Sequence, residues 1–192
     1  MNLKGKTIGF IITGSFYAFR KTIDELKTLK KLETNIIPIM SETAYNVDTK
    51  YGKAKDFIKE IEHITNHKVL HTIEDIENLE NQNMLDILVV APATSNTIAK
   101  IANNISDTPV TIVIKHYLRR EKSIVIAIAC HDGLSTGAEN IGKILNKKNF
   151  YFVPFKQSNP VTKPCSIVFD PKYLKKTIEY ALDGEQLQPM LI

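Results

Sequence analysis

Apolar residues follow two rhythms along this chain: short β-branched runs, and longer stretches in which they return every three or four positions. The run Thr7 to Ile12 ends at Thr13-Gly14-Ser15 and gives way to a helical pattern from Phe16 to Lys31, which predicts strand, tight turn and helix. The unit repeats. Asn35 to Met40 is a second run, Ser41 to Lys50 is polar, and Gly52 to Thr65 places Phe57, Ile58, Ile61 and Ile64 at helical spacing. In the more polar Asn66 to Leu85, Ile73, Ile76 and Leu79 mark a short helix. Asp86 to Ala91 reads as a third strand, Pro92 to Thr97 as a polar turn, and Thr97 to Asn103 as a helix with an alanine-rich packing face.

Asp107-Thr108-Pro109 has the chemistry of a helix start: a side-chain oxygen to accept free amides, then proline in the first turn. A helix is therefore expected over Pro109 to Arg120, although Val110 to Ile114 alone has strand composition. Ser123 to Ala129 is a fourth strand, Gly137 to Lys147 a helix and Phe150 to Phe155 a fifth strand. A long loop with Pro160 and Pro164 then leads to a final helix, Pro171 to Leu182.

Strands alternating with helices imply parallel pairing through right-handed crossovers, with helices on both faces of one sheet. The expected class is α/β, a three-layer flavodoxin-like or Rossmann-like parallel sheet in the order 2-1-3-4-5. At 192 residues the chain makes one domain, 1–192, with 184–192 as a C-terminal arm whose Gln186 to Ile192 portion is extended enough to dock on a neighbour. No internal repeat, low-complexity tract or linker interrupts it.

Composition narrows the function classes. A net charge of +4 spread over helical lysines such as Lys27, Lys30, Lys31, Lys172, Lys175 and Lys176 lacks the basic, aromatic-interleaved stripe of a nucleic-acid binder. Two cysteines, Cys130 and Cys165, support neither a disulfide framework nor a structural zinc site, and suit a reducing cytoplasm. His63 and His67 share a helical face but lack a further ligand, so no metal is expected, and His116 reads as helical surface. The N-terminal apolar stretch is broken at once by Thr13, Gly14 and Ser15, so neither a signal peptide nor a membrane span is predicted.

In an open parallel sheet the loops on either side of the order reversal diverge and open a crevice at the strand ends. Here Thr13-Gly14-Ser15 after strand one, continuing into Phe16, offers an unobstructed backbone, hydroxyls and the amides of a starting helix. After strand three, Pro92-Ala93-Thr94-Ser95-Asn96-Thr97 adds three hydroxyls before another helix. Both loops suit a phosphate. The same residues are also ordinary turn and cap residues, and no GxGxxG fingerprint or Walker lysine motif is present.

The segment Ala91-Pro92-Ala93-Thr94-Ser95-Asn96-Thr97-Ile98-Ala99-Lys100-Ile101-Ala102-Asn103 resembles the Pro-Ala-Ser-Ala-Asn-Thr signature of the flavoprotein superfamily. That superfamily includes phosphopantothenoylcysteine decarboxylases, lantibiotic cysteine decarboxylases and flavin prenyltransferases. Gly14-Ser15 matches its first loop, and Asp107 the aspartate after its third-strand helix. More closely, the chain resembles the dipicolinate synthase B-subunit family, through Leu3-Lys4-Gly5-Lys6, Ile61-Glu62-His63-Ile64-Thr65, Ser106-Asp107-Thr108-Pro109-Val110, Phe152-Val153-Pro154-Phe155 and Gln186-Leu187-Gln188-Pro189.

The resemblance implies one component of an oxidoreductase, working with the A-subunit of dipicolinate synthase to oxidise a dihydrodipicolinate-level precursor to dipicolinic acid, in the cytoplasm of the mother cell of a sporulating bacterium. It implies FMN, with the phosphate near Gly14, Ser15, Phe16 and the loop Pro92, Ala93, Thr94, Ser95, Asn96 and Thr97, and with Ser41 and Thr43 near the ring or ribityl chain. NADPH is expected on the A-subunit rather than on this chain, the substrate is a small dicarboxylate, and a homo-oligomer is expected.

Two departures are visible. The decarboxylases carry Pro-Ala-Met-Asn after strand four, where this chain has Ala127-Ile128-Ala129-Cys130-His131-Asp132-Gly133, and their catalytic histidine lies just before strand three, where His71 is nearest but differently spaced. Cys130 and His131 are therefore the catalytic candidates after strand four, with a solvated loop as the plainer reading. Arg20, one turn into the helix after Gly14-Ser15, is the candidate partner for a substrate carboxylate, and the loop Lys156 to Lys163 is a candidate lid. Two other functions stay open: a non-catalytic assembly or regulatory subunit that keeps an ancestral flavin pocket, and an independent FMN-dependent decarboxylase.

Overall fold

A computed structural model describes residues 3–82 and 84–192. Its elements in chain order are β1 (Thr7–Ile12), a 3-10 turn (Phe16–Ala18), α1 (Phe19–Lys30), β2 (Asn35–Met40), α2 (Glu42–Asn46), α3 (Ala54–Thr65), α4 (Ile73–Gln82), β3 (Ile87–Ala93), α5 (Ser95–Ala102), α6 (Pro109–Arg119), β4 (Ile124–Cys130), α7 (Ala138–Leu145), β5 (Phe150–Phe152), β6 (Phe155–Asn159), β7 (Lys163–Phe169), a 3-10 turn (Pro171–Tyr173) and α8 (Leu174–Leu182).

The central strands are buried along their length because helices cover both faces of the sheet. In β3, Ile87, Val89 and Ala91 pack with α1, α3 and α8, while Leu88 and Val90 face α4, α5, α6 and α7. That period of two divides the core into two layers. β1 lies between β2 and β3, β3 pairs β4, and β4 pairs β5, all in parallel, so the core follows the expected order 2-1-3-4-5. The reversal between β1 and β3 leaves a crevice at their carboxyl ends.

The sheet is not purely parallel. Phe150 to Phe155 is not one strand: it stops at Phe152, and the expected loop is a hairpin of β6 and β7. β7 then pairs antiparallel with Ala129 and Cys130 of β4, giving seven strands in the path β2-β1-β3-β4-β7-β6 with β5 also on β4. β4 outruns β5, which covers only Ile124 to Ile126, and the free end recruits β7.

Helix starts follow their caps. The Thr108 hydroxyl accepts the Thr111 amide while the Thr111 hydroxyl accepts that of Thr108, with Pro109 in the first turn, so α6 forms despite its β-branched run. The Ser41 hydroxyl caps the unexpected α2 by accepting the Ala44 amide. The C-terminal arm docks on its own chain: the Gln186 amide bridges both the N–H and the carbonyl of Phe152 (2.7 and 2.8 Å), and Leu191 pairs with Phe155.

His116 is not a surface residue. It sits between α6 and α4 with Nδ1 2.9 Å from Glu80, each under one-fifth exposed, and burial lowers its pKa and raises that of Glu80. His67 contacts Asn35 at 2.8 Å while His63 is exposed, and no group of three metal-ligating side chains occurs among the described residues. Among those residues no helix is long and apolar enough to cross a membrane.

Candidate functional site

Thr13, the first residue beyond β1, joins the two loops of the crevice. Its hydroxyl donates to the Pro92 carbonyl at 2.7 Å and accepts the Thr94 amide at 3.1 Å, and its own amide reaches Pro92 at 3.3 Å. Thr13 is 1% exposed, so these bonds are shielded from water. The turns around Gly14 and Asn96 are thereby held side by side, bordering one cavity of about 390 Å³, in the range of small-ligand sites.

The cavity is lined by Thr13 and Gly14 from the first loop, Ser41, Glu42 and Thr43 from the second, Thr94, Asn96, Thr97 and Lys100 from α5 and its cap, and Thr108, Val110 and Thr111 from the start of α6. The Thr94 side chain does not cap α5; its hydroxyl lies 3.2 Å from that of Thr97. The first-turn amides of α5 thus keep their donors for another group, at the positive end of the helix. Gly14 keeps the floor open: a Cβ there would lie 3.3 Å from the Thr43 methyl. Ser15 is 6% exposed and its Oγ makes no hydrogen bond of good geometry, although Tyr17 is near. Glycine backbone, free amides and hydroxyls fit the phosphate end of a nucleotide such as FMN.

The other sequence candidates stand around the cavity rather than in its wall. Phe16 packs on Phe19 at 5.0 Å, and Pro92 and Ala93 are buried in β3 after a cis Ala91-Pro92 bond. The Ser95 hydroxyl donates to Asp132, tying α5 to the loop after β4. Arg20 is turned away: it donates to Glu60 at 2.7 Å and lies over the Phe57 ring.

Cys130 ends β4 instead of following it. It is 3% exposed, and burial pushes its thiol up to about 11, so at neutral pH it is no thiolate nucleophile. His131 is exposed, its ring centroid 6.2 Å from that of Tyr17, and its carbonyl accepts the Ser166 hydroxyl. Neither lines the cavity. His71 stacks on Tyr45 at 3.6 Å, on the helix whose Glu42 and Thr43 do line it. Sequence reasoning passed over Glu42, Lys100, Thr108, Val110 and Thr111. Lys100 alone left a signal, standing four residues after Asn96 on the same helical face.

Residues 1–169 match the protein family described as Flavoprotein. Over 191 residues the chain is 33% identical to the dipicolinate synthase B-subunit of Bacillus subtilis, spanning 100% of this chain and 96% of that protein. The crystal structure of the dipicolinate synthase B-subunit from Bacillus halodurans superposes with a TM-score of 0.90 at 36% identity, covering 100% of this chain and 98% of that one. DmrB of Burkholderia xenovorans, in complex with FMN, shares the fold at a TM-score of 0.69 and 18% identity, over 93% of this chain and 96% of its own.

Proposed function

Since this chain belongs to the flavoprotein family and, along its whole length, to the dipicolinate synthase B-subunit family, we propose that it is the FMN-binding component of an oxidoreductase that forms dipicolinic acid together with a separate A-subunit. The observation that carries the reading is the convergence of the turns after β1 and β3 on one cavity, through the bonds of Thr13 to Pro92 and Thr94. In this reading Gly14, Thr94, Asn96 and Thr97 would hold the phosphate end, and Ser41 and Thr43, on the same cavity wall, the ribityl and ring end.

Conversion of a dihydrodipicolinate-level precursor to the pyridine dicarboxylate removes two electrons and two protons. FMN, when bound, would supply a two-electron acceptor, and NADP+ on the A-subunit would take the electron pair from the reduced flavin and leave as NADPH. This chain binds, orients and excludes water. With Cys130 held as a thiol and His131 outside the cavity, the ionisable side chains that line it are Glu42 and Lys100. The stack of His71 on Tyr45, in the helix whose Glu42 and Thr43 line the cavity, supports a second reading, an FMN-dependent decarboxylase acting alone.

The test is to purify the chain, record its visible spectrum and follow pyridine dicarboxylate formation with and without the A-subunit. Flavin absorbance, with product only in the mixture, is the expected result. Turnover by the chain alone with release of carbon dioxide overturns it in favour of the second reading, and an active but colourless mixture leaves this chain as an assembly component.

A further inference from the structure

The cavity has one lysine in its wall, and that lysine has a resident partner. Lys100 Nζ donates to both carboxylate oxygens of Asp107 at 2.9 Å, across the short connection between α5 and α6. The lysine side chain is 23% exposed, whereas that of Asp107 is 55% exposed and does not line the cavity. Lys100 stands four residues after Asn96 and three after Thr97, so its Cα lies about 6 Å further along the same face of α5. Lys100 therefore lines the same cavity that Thr94 and Thr97 border.

A bond from ammonium to an exposed carboxylate contributes little, because water and salt screen it. The same ammonium facing an oxyanion inside the cavity makes a charge-assisted bond in a less polar setting, which is stronger. Asp107 can let go at small cost, since its carboxylate returns to water. The lysine already holds the carboxyl of Asp107 below the usual carboxylate range. Glu42 also lines the cavity, and Lys100 is the one cationic side chain among the described lining residues.

We propose that Lys100 is an exchangeable oxyanion clamp: it rests on Asp107 when the cavity is empty and transfers to a carboxylate or phosphate oxygen of the bound ligand. This rests on the cavity being the ligand site, and it adds a specificity-determining residue that discriminates anionic from neutral ligands. The oxyanion has two possible sources, the phosphate of FMN and a carboxylate of a small diacid, and both are used as probes.

Titration calorimetry on the full-length chain with FMN, riboflavin and pyridine-2,6-dicarboxylate, for wild type, Lys100→Met and Asp107→Asn, separates the outcomes. Lys100→Met is expected to weaken at least one of the two anionic probes by roughly tenfold or more and to leave riboflavin within twofold. Asp107→Asn is expected to tighten that same probe, because the competing carboxylate is gone. Loss with FMN alone assigns the clamp to the phosphate, and loss with the diacid alone assigns it to the substrate. Unchanged affinity for both anions in a Lys100→Met protein that still binds FMN overturns the clamp and leaves the flavin site standing. A wild type that binds no flavin but takes up the diacid in a Lys100-dependent way refutes the flavin site and keeps the clamp.

Discussion

The Thr13 hydroxyl accepts the amide of Thr94 at 3.1 Å, joining two turns that lie 81 residues apart in sequence. With the bond to Pro92 it converts two ordinary strand-end loops into one wall. Replacing Thr13 with valine keeps the shape and removes the hydroxyl, so the Thr94 amide and the Pro92 carbonyl lose that partner. A loss of about 1–3 kcal/mol is expected in urea unfolding, together with weaker FMN binding. Unchanged stability and affinity would mean that the bond does not hold the loops.

Gly14→Ala separates fold from site. The new Cβ lies 3.3 Å from the methyl of exposed Thr43, which has room to move, and alanine restricts the unfolded chain. The two effects offset, so stability is expected to stay within about 1 kcal/mol, while FMN affinity falls by roughly tenfold because backbone approach to the phosphate is blocked. A fluorescence titration in which the variant binds FMN like wild type contradicts this placement.

Cys130 gives a pH signature. Its folded pKa is raised by burial to about 11, so the fold favours the thiol and gains stability that is complete below the unfolded value near 9 and is lost as pH rises through about 11. Wild-type stability should therefore fall more steeply between those values than that of Cys130→Ala. In the native protein at pH 8, Ellman's reagent should react with Cys165, which is partly exposed, and reach Cys130 only after denaturation. Two fast-reacting thiols would refute the assignment.

The C-terminal arm is part of the fold. Gln186 satisfies both backbone groups of Phe152, at the edge of β5. Gln186→Ala should cost about 1–3 kcal/mol in thermal or urea unfolding and speed hydrogen exchange at the Phe152 and Phe155 amides. Wild-type exchange in the variant would show that the arm is held by other contacts.

How much was legible follows from what each residue depends on. β1 and β2 have the predicted ends, Thr7 to Ile12 and Asn35 to Met40, because a buried parallel strand needs an uninterrupted apolar run and polar turns punctuate it. The hairpin of β6 and β7 was illegible because its exposed arms, Lys156 to Asn159 and Lys163 to Pro164, are polar and carry a proline. Its partner is the free end of β4, which no local pattern reveals.

In the site, Gly14, Thr94, Asn96 and Thr97 were legible as strand-end loops. Thr108 and Thr111 were not, since the packing of α6 beside α5 brings them to the cavity. Arg20 was misplaced because helical spacing from Gly14 fixes its distance along α1 but not its direction, which Glu60 and Phe57 of α3 determine.

Every role proposed for the cavity requires that the turns after β1 and β3 form one oxyanion cradle. Competition between FMN and riboflavin for the purified chain probes this, since the two differ only by the phosphate. FMN should bind tighter than riboflavin by roughly a hundredfold, with the preference abolished in a Gly14→Val, Thr97→Val double variant that remains folded. Equal affinity for the two flavins, or a preference that survives the double substitution, would show that no such cradle exists.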